Sequence, residues 1–269
     1  MVVLLAGPAT AAQWLSWPPR PNTQAPVPAS AAAVGVRLRI ADHEGVREIW
    51  VDNDLYGPAE VRIDAIPDRS GFPLHRVLPA RGAYRLARLP ADGGLRLRLL
   101  AVPGAPGAAA RDVDYGLPLR LASVRIGQPP QGRFSHTDSE NLHAVDFAAP
   151  IGTPVVATRG GTVMQAQDRF RDGTGRPDEA NLVRILHSDG SMAVYAHLQH
   201  GSLAVMPGER VAAGRMLARS GNSGYSSGPH LHFAVQTNAG LGLASVPVRI
   251  VGDRGELHLP RETLPASGL

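Results

Sequence analysis

Residues 220–233 read Ser220-Gly221-Asn222-Ser223-Gly224-Tyr225-Ser226-Ser227-Gly228-Pro229-His230-Leu231-His232-Phe233. The last few residues alternate in polarity, as a strand does. Successive side chains on a strand point to opposite faces, so His230 and His232 share one face and Leu231 and Phe233 the other. Two residue rises separate the imidazoles by about 6.5–7 Å, too far for a direct hydrogen bond. The spacing suits one histidine on a metal ion and the other facing whatever the metal polarises. The Gly- and Ser-rich run before the strand lets a backbone pass close to a ligand. The ordinary reading of an isolated His-x-His is a polar strand face in solvent. Other segments decide between the two readings.

Composition narrows the chemistry. The chain has 269 residues, 43% of them hydrophobic, which fits one large or two ordinary globular domains and argues against wholesale disorder. It has no cysteine, so any metal rests on nitrogen and oxygen ligands and no disulfide framework exists. All 27 basic residues are arginine. The formal charge of +4 is compatible with an anionic polymer, but no aromatic-basic module suited to nucleic acid is present. Val2 to Ala12 is apolar and Ala9-Thr10-Ala11 resembles a small-residue cleavage site. A basic n-region is missing and the run is too short to span a bilayer, so we expect a shortened secretory signal and no stable membrane insertion.

The organisation reads as all-β. Pro18 to Ala33 is a Pro/Ala-rich linker, completing a first segment over 1–33. Val36, Leu38 and Ile40 alternate with arginines, as do Leu95, Leu97 and Leu99, and Val61 and Ile63 flank Arg62. These half-buried strands predict a β-sandwich-like accessory domain, placed at 34–125 once the connecting segment is included. A second antiparallel β-sheet domain is expected over 126–255, with a tail over 256–269. Asn181 to Leu198 reads as a hairpin closed by Ser188-Asp189-Gly190-Ser191. The polar stretch from Ala166 to Ala180 reads as a projecting loop and a groove wall. At most one short helix is expected.

Four segments of the second domain carry the chemistry. They are Arg133-Phe134-Ser135-His136, Ala144-Val145-Asp146-Phe147, Val194-Tyr195-Ala196-His197-Leu198 and His230-Leu231-His232. A carboxylate in an apolar strand is costly unless paired or bound to a cation, so Asp146 needs a partner. An arginine is the plain alternative. Two histidines, one aspartate and a water form a standard open catalytic zinc arrangement. No His-Glu-x-x-His is present, so the base must come from the remaining histidines. Alternation places Tyr195 and His197 on one face.

Residues 127–235 resemble the lysostaphin-like, LytM-type zinc metallopeptidases. The matching stretches are Gly132-x-Phe134-Ser135-His136, Ala144-x-Asp146-Phe147-Ala148-x-Pro150-x-Gly152-Thr153-Pro154-Val155, Tyr195-Ala196-His197-Leu198, Val205-x-x-Gly208-x-x-Val211-x-x-Gly214, and residues 220–233. The resemblance implies a zinc ion held by His136, Asp146 and His232. It implies that His197 and His230 stand beside the reacting centre as catalytic groups, their division of labour undecided. Tyr195 and Asn222 are candidate substrate-binding or supporting residues; Tyr195 equally fits a packing role. The commonest family pattern puts the first ligand four residues before the aspartate, where this chain has Leu142. A subgroup with Ser-His about ten residues upstream fits His136. His143 is the rival, but an i, i+3 pair on a strand points to opposite faces. His187 is expected to be exposed beside its turn, and His43, His75, His200 and His258 are read as ordinary histidines.

By resemblance the function is zinc-dependent hydrolysis of amide bonds in peptidoglycan stem peptides or cross-links. That implies a periplasmic or extracellular setting. The alternative is a non-catalytic protein that binds cell wall or activates another hydrolase; members of that kind usually lose zinc ligands. A biotinyl or lipoyl carrier would need a lysine, and the chain has none.

Overall fold

The period-two segments are strands in the computed structural model, which describes residues 35–253 and 255–259. The expected signal remnant and linker over 1–33 and the end of the tail lie outside the described residues. β1 (Val36–His43), β2 (Val46–Asn53) and β5 (Gly82–Pro90) form one three-stranded sheet; β3 (Ala59–Ile66), β4 (Leu74–Leu78) and β6 (Arg96–Pro103) form another. Val36, Ile49 and Val51 from the first sheet meet Val61, Ile63, Leu78 and Ala101 from the second in one buried core. That is the expected sandwich, closed by burial of one face of each sheet.

The rest of the chain continues as β7 (Asp114–Gly116), β8 (Arg125–Gln128), β9 (Val145–Ala148), β10 (Pro154–Val156), β11 (Gly161–Gln167), β12 (Leu182–Leu186) and β13 (Met192–Ala196). Then come β14 (Arg210–Val211), β15 (Met216–Arg219), β16 (His230–Asn238), β17 (Leu243–Ser245), β18 (Arg249–Gly252) and β19 (Gly255–Glu256). An eight-stranded sheet runs β14-β11-β12-β13-β16-β9-β8, with β17 added on β16. The pairings are antiparallel except β7 with β18. One 3-10 turn, Pro177–Glu179, is the helical content among the described residues. No helix among them is long and apolar enough to cross a membrane.

The large sheet has two unlike faces. Val145, Phe147, Val183, Ile185, Ala193, Tyr195, Leu231, Phe233 and Val235 turn into a single core, which also takes in Tyr115 and Leu119. The intervening residues occupy the other face. Register fixes that face across the strands: Asp146 opposite His232, Ala196 opposite His232, Val194 opposite Ala234, and Arg184 opposite Val194.

The sandwich docks on this second face, at the far end of β16 from the histidines. Met164, Leu186, Met192 and Leu243 of the second unit join the sandwich core. Tyr56 N donates to Met164 O at 3.0 Å, Asn238 Nδ2 to Gly104 O at 3.0 Å, and Leu241 N to Glu60 Oε2 at 2.6 Å.

The β12–β13 hairpin closes as expected. His187 N donates to Ser191 O at 2.9 Å and Gly190, at φ 82°, supplies the tight turn. His187 itself is not exposed. It is 3% accessible, because its Nδ1 donates to Gly160 O at 2.9 Å and its ring packs edge-on against Tyr115. The hairpin end folds down onto the start of β11 rather than standing in solvent.

Candidate metal centre

The β9–β16 register sets Asp146 beside His232 on one face of the sheet. His136 arrives from the turn-rich segment 129–144, where its amide donates to Gly132 O at 3.1 Å. His136 Nε2 lies 3.2 Å and His232 Nδ1 2.9 Å from the same Asp146 Oδ1. His230 Nε2 stands 3.8 Å from that oxygen. One ligand atom from each of His136, Asp146 and His232 can be chosen so that all three lie within 4.8 Å of one another. His143 is not in the cluster. It lines a separate cavity with Pro130, Pro247, Leu257 and His258.

The donor chemistry of the three residues fits a cation. His136 Nδ1 is 2.9 Å from Pro129 O, and a carbonyl can only accept, so that nitrogen carries the hydrogen. A neutral His136 then presents a lone pair at Nε2 to a carboxylate oxygen that also carries lone pairs. Two acceptors face each other unless a proton or a metal ion lies between them. Carbonyl-held Nδ1–H is the usual way a metal-binding histidine is oriented. Burial pulls the His136 pKa down, but the Asp146 charge and hydrogen bond outweigh it and raise the net value. Burial pushes Asp146 up, and the surrounding imidazoles outweigh that and hold it well below the usual carboxylate range.

The two remaining histidines share one tautomer. His197 Nδ1 donates to Ser223 O at 2.7 Å and His230 Nδ1 to Gly228 O at 2.8 Å. Each neutral ring therefore keeps its lone pair at Nε2. Their centroids are 4.5 Å apart, and His197 lies 5.9 Å from His232. Burial, and then the neighbouring imidazoles, pull the His197 pKa down to about 3. Burial also lowers that of His230. Both rings are neutral in the physiological range.

Tyr195 is not on the face of His197. Its ring packs on Phe233 in the core, and its hydroxyl meets Thr158 N and Thr158 Oγ1, both at 2.8 Å. The shared face fails because β13 ends at Ala196 and His197 takes φ 61°. A left-handed backbone is uncommon for a residue with a Cβ and breaks the alternation of the strand. It turns the His197 ring back toward His230 and His232.

Loops fix the rest. Asn222 Oδ1 accepts from Ser226 Oγ at 2.7 Å, and its backbone N donates to Asp172 Oδ1 at 2.7 Å. Asp172 belongs to the segment 166–180, which thus stands against the loop holding His197 and His230. Gly221 is needed at that junction, since a Cβ there would meet Gln199 N at 2.5 Å. Phe134 and Tyr225 stack with centroids 6.1 Å apart, joining the His136 segment to the loop before β16.

Sequence reasoning missed Gln128. Its Nε2 donates to Asp146 Oδ2 at 3.3 Å and to Ser135 Oγ at 2.8 Å, and its Oε1 accepts from Phe134 N at 3.1 Å. One buried amide therefore orients the carboxylate and the segment carrying His136. A register shift between Ile126 and Gln128 sets it opposite Asp146.

With this geometry in view, residues 140–241 match the family described as peptidase family M23. The chain carries an M23 peptidase domain. His136 lies just before the matched segment. Among curated relatives, the peptidoglycan DD-endopeptidase ShyA of Vibrio cholerae is 35% identical over 109 residues, covering 37% of this chain and 23% of its own. The glycyl-glycine endopeptidase ALE-1 of Staphylococcus capitis is 36% identical over 100 residues, covering 37% of this chain and 25% of its own. The chain thus spans about a quarter of the length of these curated relatives. Among solved structures, the catalytic domain of lysostaphin from Staphylococcus simulans is 30% identical, covering 46% of this chain and 77% of that one, with a TM-score of 0.31.

Proposed function

We propose that this chain is a zinc-dependent peptidoglycan endopeptidase of the cell envelope, cutting amide bonds in stem peptides or cross-links. The observation that carries the reading is the approach of His136 Nε2 and His232 Nδ1 to one buried oxygen of Asp146. Two imidazoles and a carboxylate without thiolates are the donor set of an open catalytic zinc site. Bound there, zinc would supply Lewis-acid polarisation of the scissile carbonyl and a nucleophile at neutral pH. His136, Asp146 and His232 hold the ion in this account, and Gln128 orients Asp146.

His197 and His230 handle protons. Each offers an unprotonated Nε2, fixed by a carbonyl on the opposite nitrogen. One of them accepts the proton of the attacking water on its Nε2, and the imidazolium so formed returns that same proton to the departing amine, which leaves the ring neutral again. While it holds that proton, the imidazolium would help stabilise negative charge on the substrate oxygen. The family match and the named endopeptidase relatives support this class of reaction. A non-catalytic wall protein would be expected to lack ligands, whereas all five residues are present.

The test is release of soluble muropeptides from purified sacculi by the full chain, before and after chelation and after zinc is restored. Release that stops on chelation and returns with zinc supports the reading. Equal digestion by chelated protein rules out the zinc mechanism.

A further inference from the structure

His197 stands in a backbone conformation that needs outside support. It takes φ 61°, in the left-handed region, and a residue with a Cβ stays there only where its surroundings over-determine it. The support comes from the residue before β12. Leu182 lies opposite Ala196, so a regular ladder would next set Asn181 opposite His197. β13 instead ends at Ala196, and Asn181 takes hold of the residue after His197. Asn181 O accepts from Leu198 N at 3.2 Å, and Asn181 Nδ2 donates to Leu198 O at 3.0 Å. One asparagine therefore grips both backbone groups of Leu198.

The same residue reaches two further segments. Asn181 Nδ2 also donates to Phe170 O at 2.7 Å and Asn181 Oδ1 accepts from Phe170 N at 2.9 Å, which ties in the segment 166–180. Asn181 N donates to Ser223 Oγ at 3.1 Å, and Ser223 Oγ donates to Leu198 O at 2.8 Å. Ser223 O is the acceptor that holds His197 Nδ1 at 2.7 Å. Asn181 and Ser223 are both 0% exposed. Both Nδ2 hydrogens and the Oδ1 of Asn181 are in use, so an aspartate of the same shape would set an oxygen against two carbonyls. His197 is thus fixed twice from one hub, along its backbone through Leu198 and at its ring through Ser223.

We propose that Asn181 is a positioning residue for His197, acting through Leu198 and Ser223 to keep the ring beside His230 and His232 with its hydrogen on Nδ1. The proposal deepens the endopeptidase reading and rests on it for the reaction that His197 serves. Removing the Asn181 amide leaves the bond from Leu198 N in place but takes a donor from Leu198 O and both partners from Phe170. The left-handed residue then loses part of what holds it and can relax. A displacement of about 1 Å at a catalytic group can cost about 10²-fold in rate. A ring released from Ser223 O also moves its hydrogen between Nδ1 and Nε2, and the Nε2–H tautomer has no lone pair there to accept a proton.

The test is imidazole nitrogen NMR of the full chain with zinc added, beside muropeptide release from sacculi per folded molecule. The His197 signals are assigned by their absence from His197→Ala. The wild-type ring is expected as a single Nδ1–H tautomer with a slowly exchanging proton. Asn181→Ala should give a mixture of tautomers and a fast-exchanging proton, and should slow release by about 10–100-fold with zinc still bound. Ser223→Ala removes only the hydroxyl link. It should move both readouts the same way by less, and it carries the test should Asn181→Ala fail to fold. A merely structural asparagine would lower stability and leave the tautomer and the rate per folded molecule alone. That result overturns the proposal, as does a tautomer mixture with the wild-type rate kept. A wild-type chain that cuts nothing refutes the endopeptidase reading alone, since the His197 tautomer still decides whether Asn181 positions the ring.

Discussion

Asp146 Oδ1 lies 3.2 Å from His136 Nε2, although the other nitrogen of His136 already donates its hydrogen to Pro129 O. Only a proton or a cation makes that approach favourable. The relationship singles out His136, rather than His143, as the partner of Asp146 and His232. Zinc content should follow it. His136→Ala and His232→Ala are expected to purify without stoichiometric zinc by elemental analysis, and His143→Ala with it.

On the proposed reading, His197 and His230 move protons and do not bind the ion. His197→Ala and His230→Ala should each lower kcat by about 10²–10⁴ while keeping zinc. Parallel measurement of zinc content and muropeptide release checks the split. Loss of zinc from either variant would move that histidine into the ligand set.

Gln128 acts through Asp146. Gln128→Leu removes the donor to Asp146 Oδ2 and the tie to Ser135, and is expected to weaken zinc binding by about 10–100-fold. Competition with a chelator of known affinity reads this directly. Unchanged affinity would leave Gln128 a packing residue.

Tyr195 predicts the opposite pattern. Tyr195→Phe strips the partner from Thr158 N and Oγ1 in the core, and should cost about 1–3 kcal/mol in urea unfolding. Zinc affinity and activity per folded molecule should hold. A loss of activity without a loss of stability would contradict a core role.

The reach of the sequence can be judged from these residues. The shared face of His230 and His232 on β16 was legible because strand alternation is strict between them, and Asp146 stood out as a lone carboxylate among apolar neighbours. Alternation misled at Tyr195 and His197, where a left-handed residue ends β13 and reverses the side chain. Nearness to the hairpin turn misled at His187, where a long-range bond to Gly160 O buries the ring. Gln128 had no local signal, since its placement depends on a bulge in a pairing between strands distant in sequence.

Asp189 gives the pH dependence of the fold. Its side chain is 2% exposed and accepts from Arg159 Nη1 at 2.7 Å, Ser191 Oγ at 2.6 Å and Arg111 N at 3.1 Å. Burial pushes its pKa up, but these donors outweigh burial and hold it far below the usual carboxylate range. A depressed carboxylate contributes stability in full above its unfolded pKa of about 3.9, and loses it as pH falls toward the folded value. Asp189→Asn should therefore be less stable than wild type by about 2 kcal/mol or more at pH 7. The gap should close progressively below about pH 4. Unfolding curves at pH 7, 5 and 3 check the sign, and a gap that widens on acidification would refute it.

The most direct measurement is anomalous diffraction at the zinc edge from crystals of the full chain grown with zinc. The account predicts one peak, at about 2.0–2.2 Å from ligand atoms of His136, Asp146 and His232. A peak bound by His143, or no peak among these side chains, would contradict it.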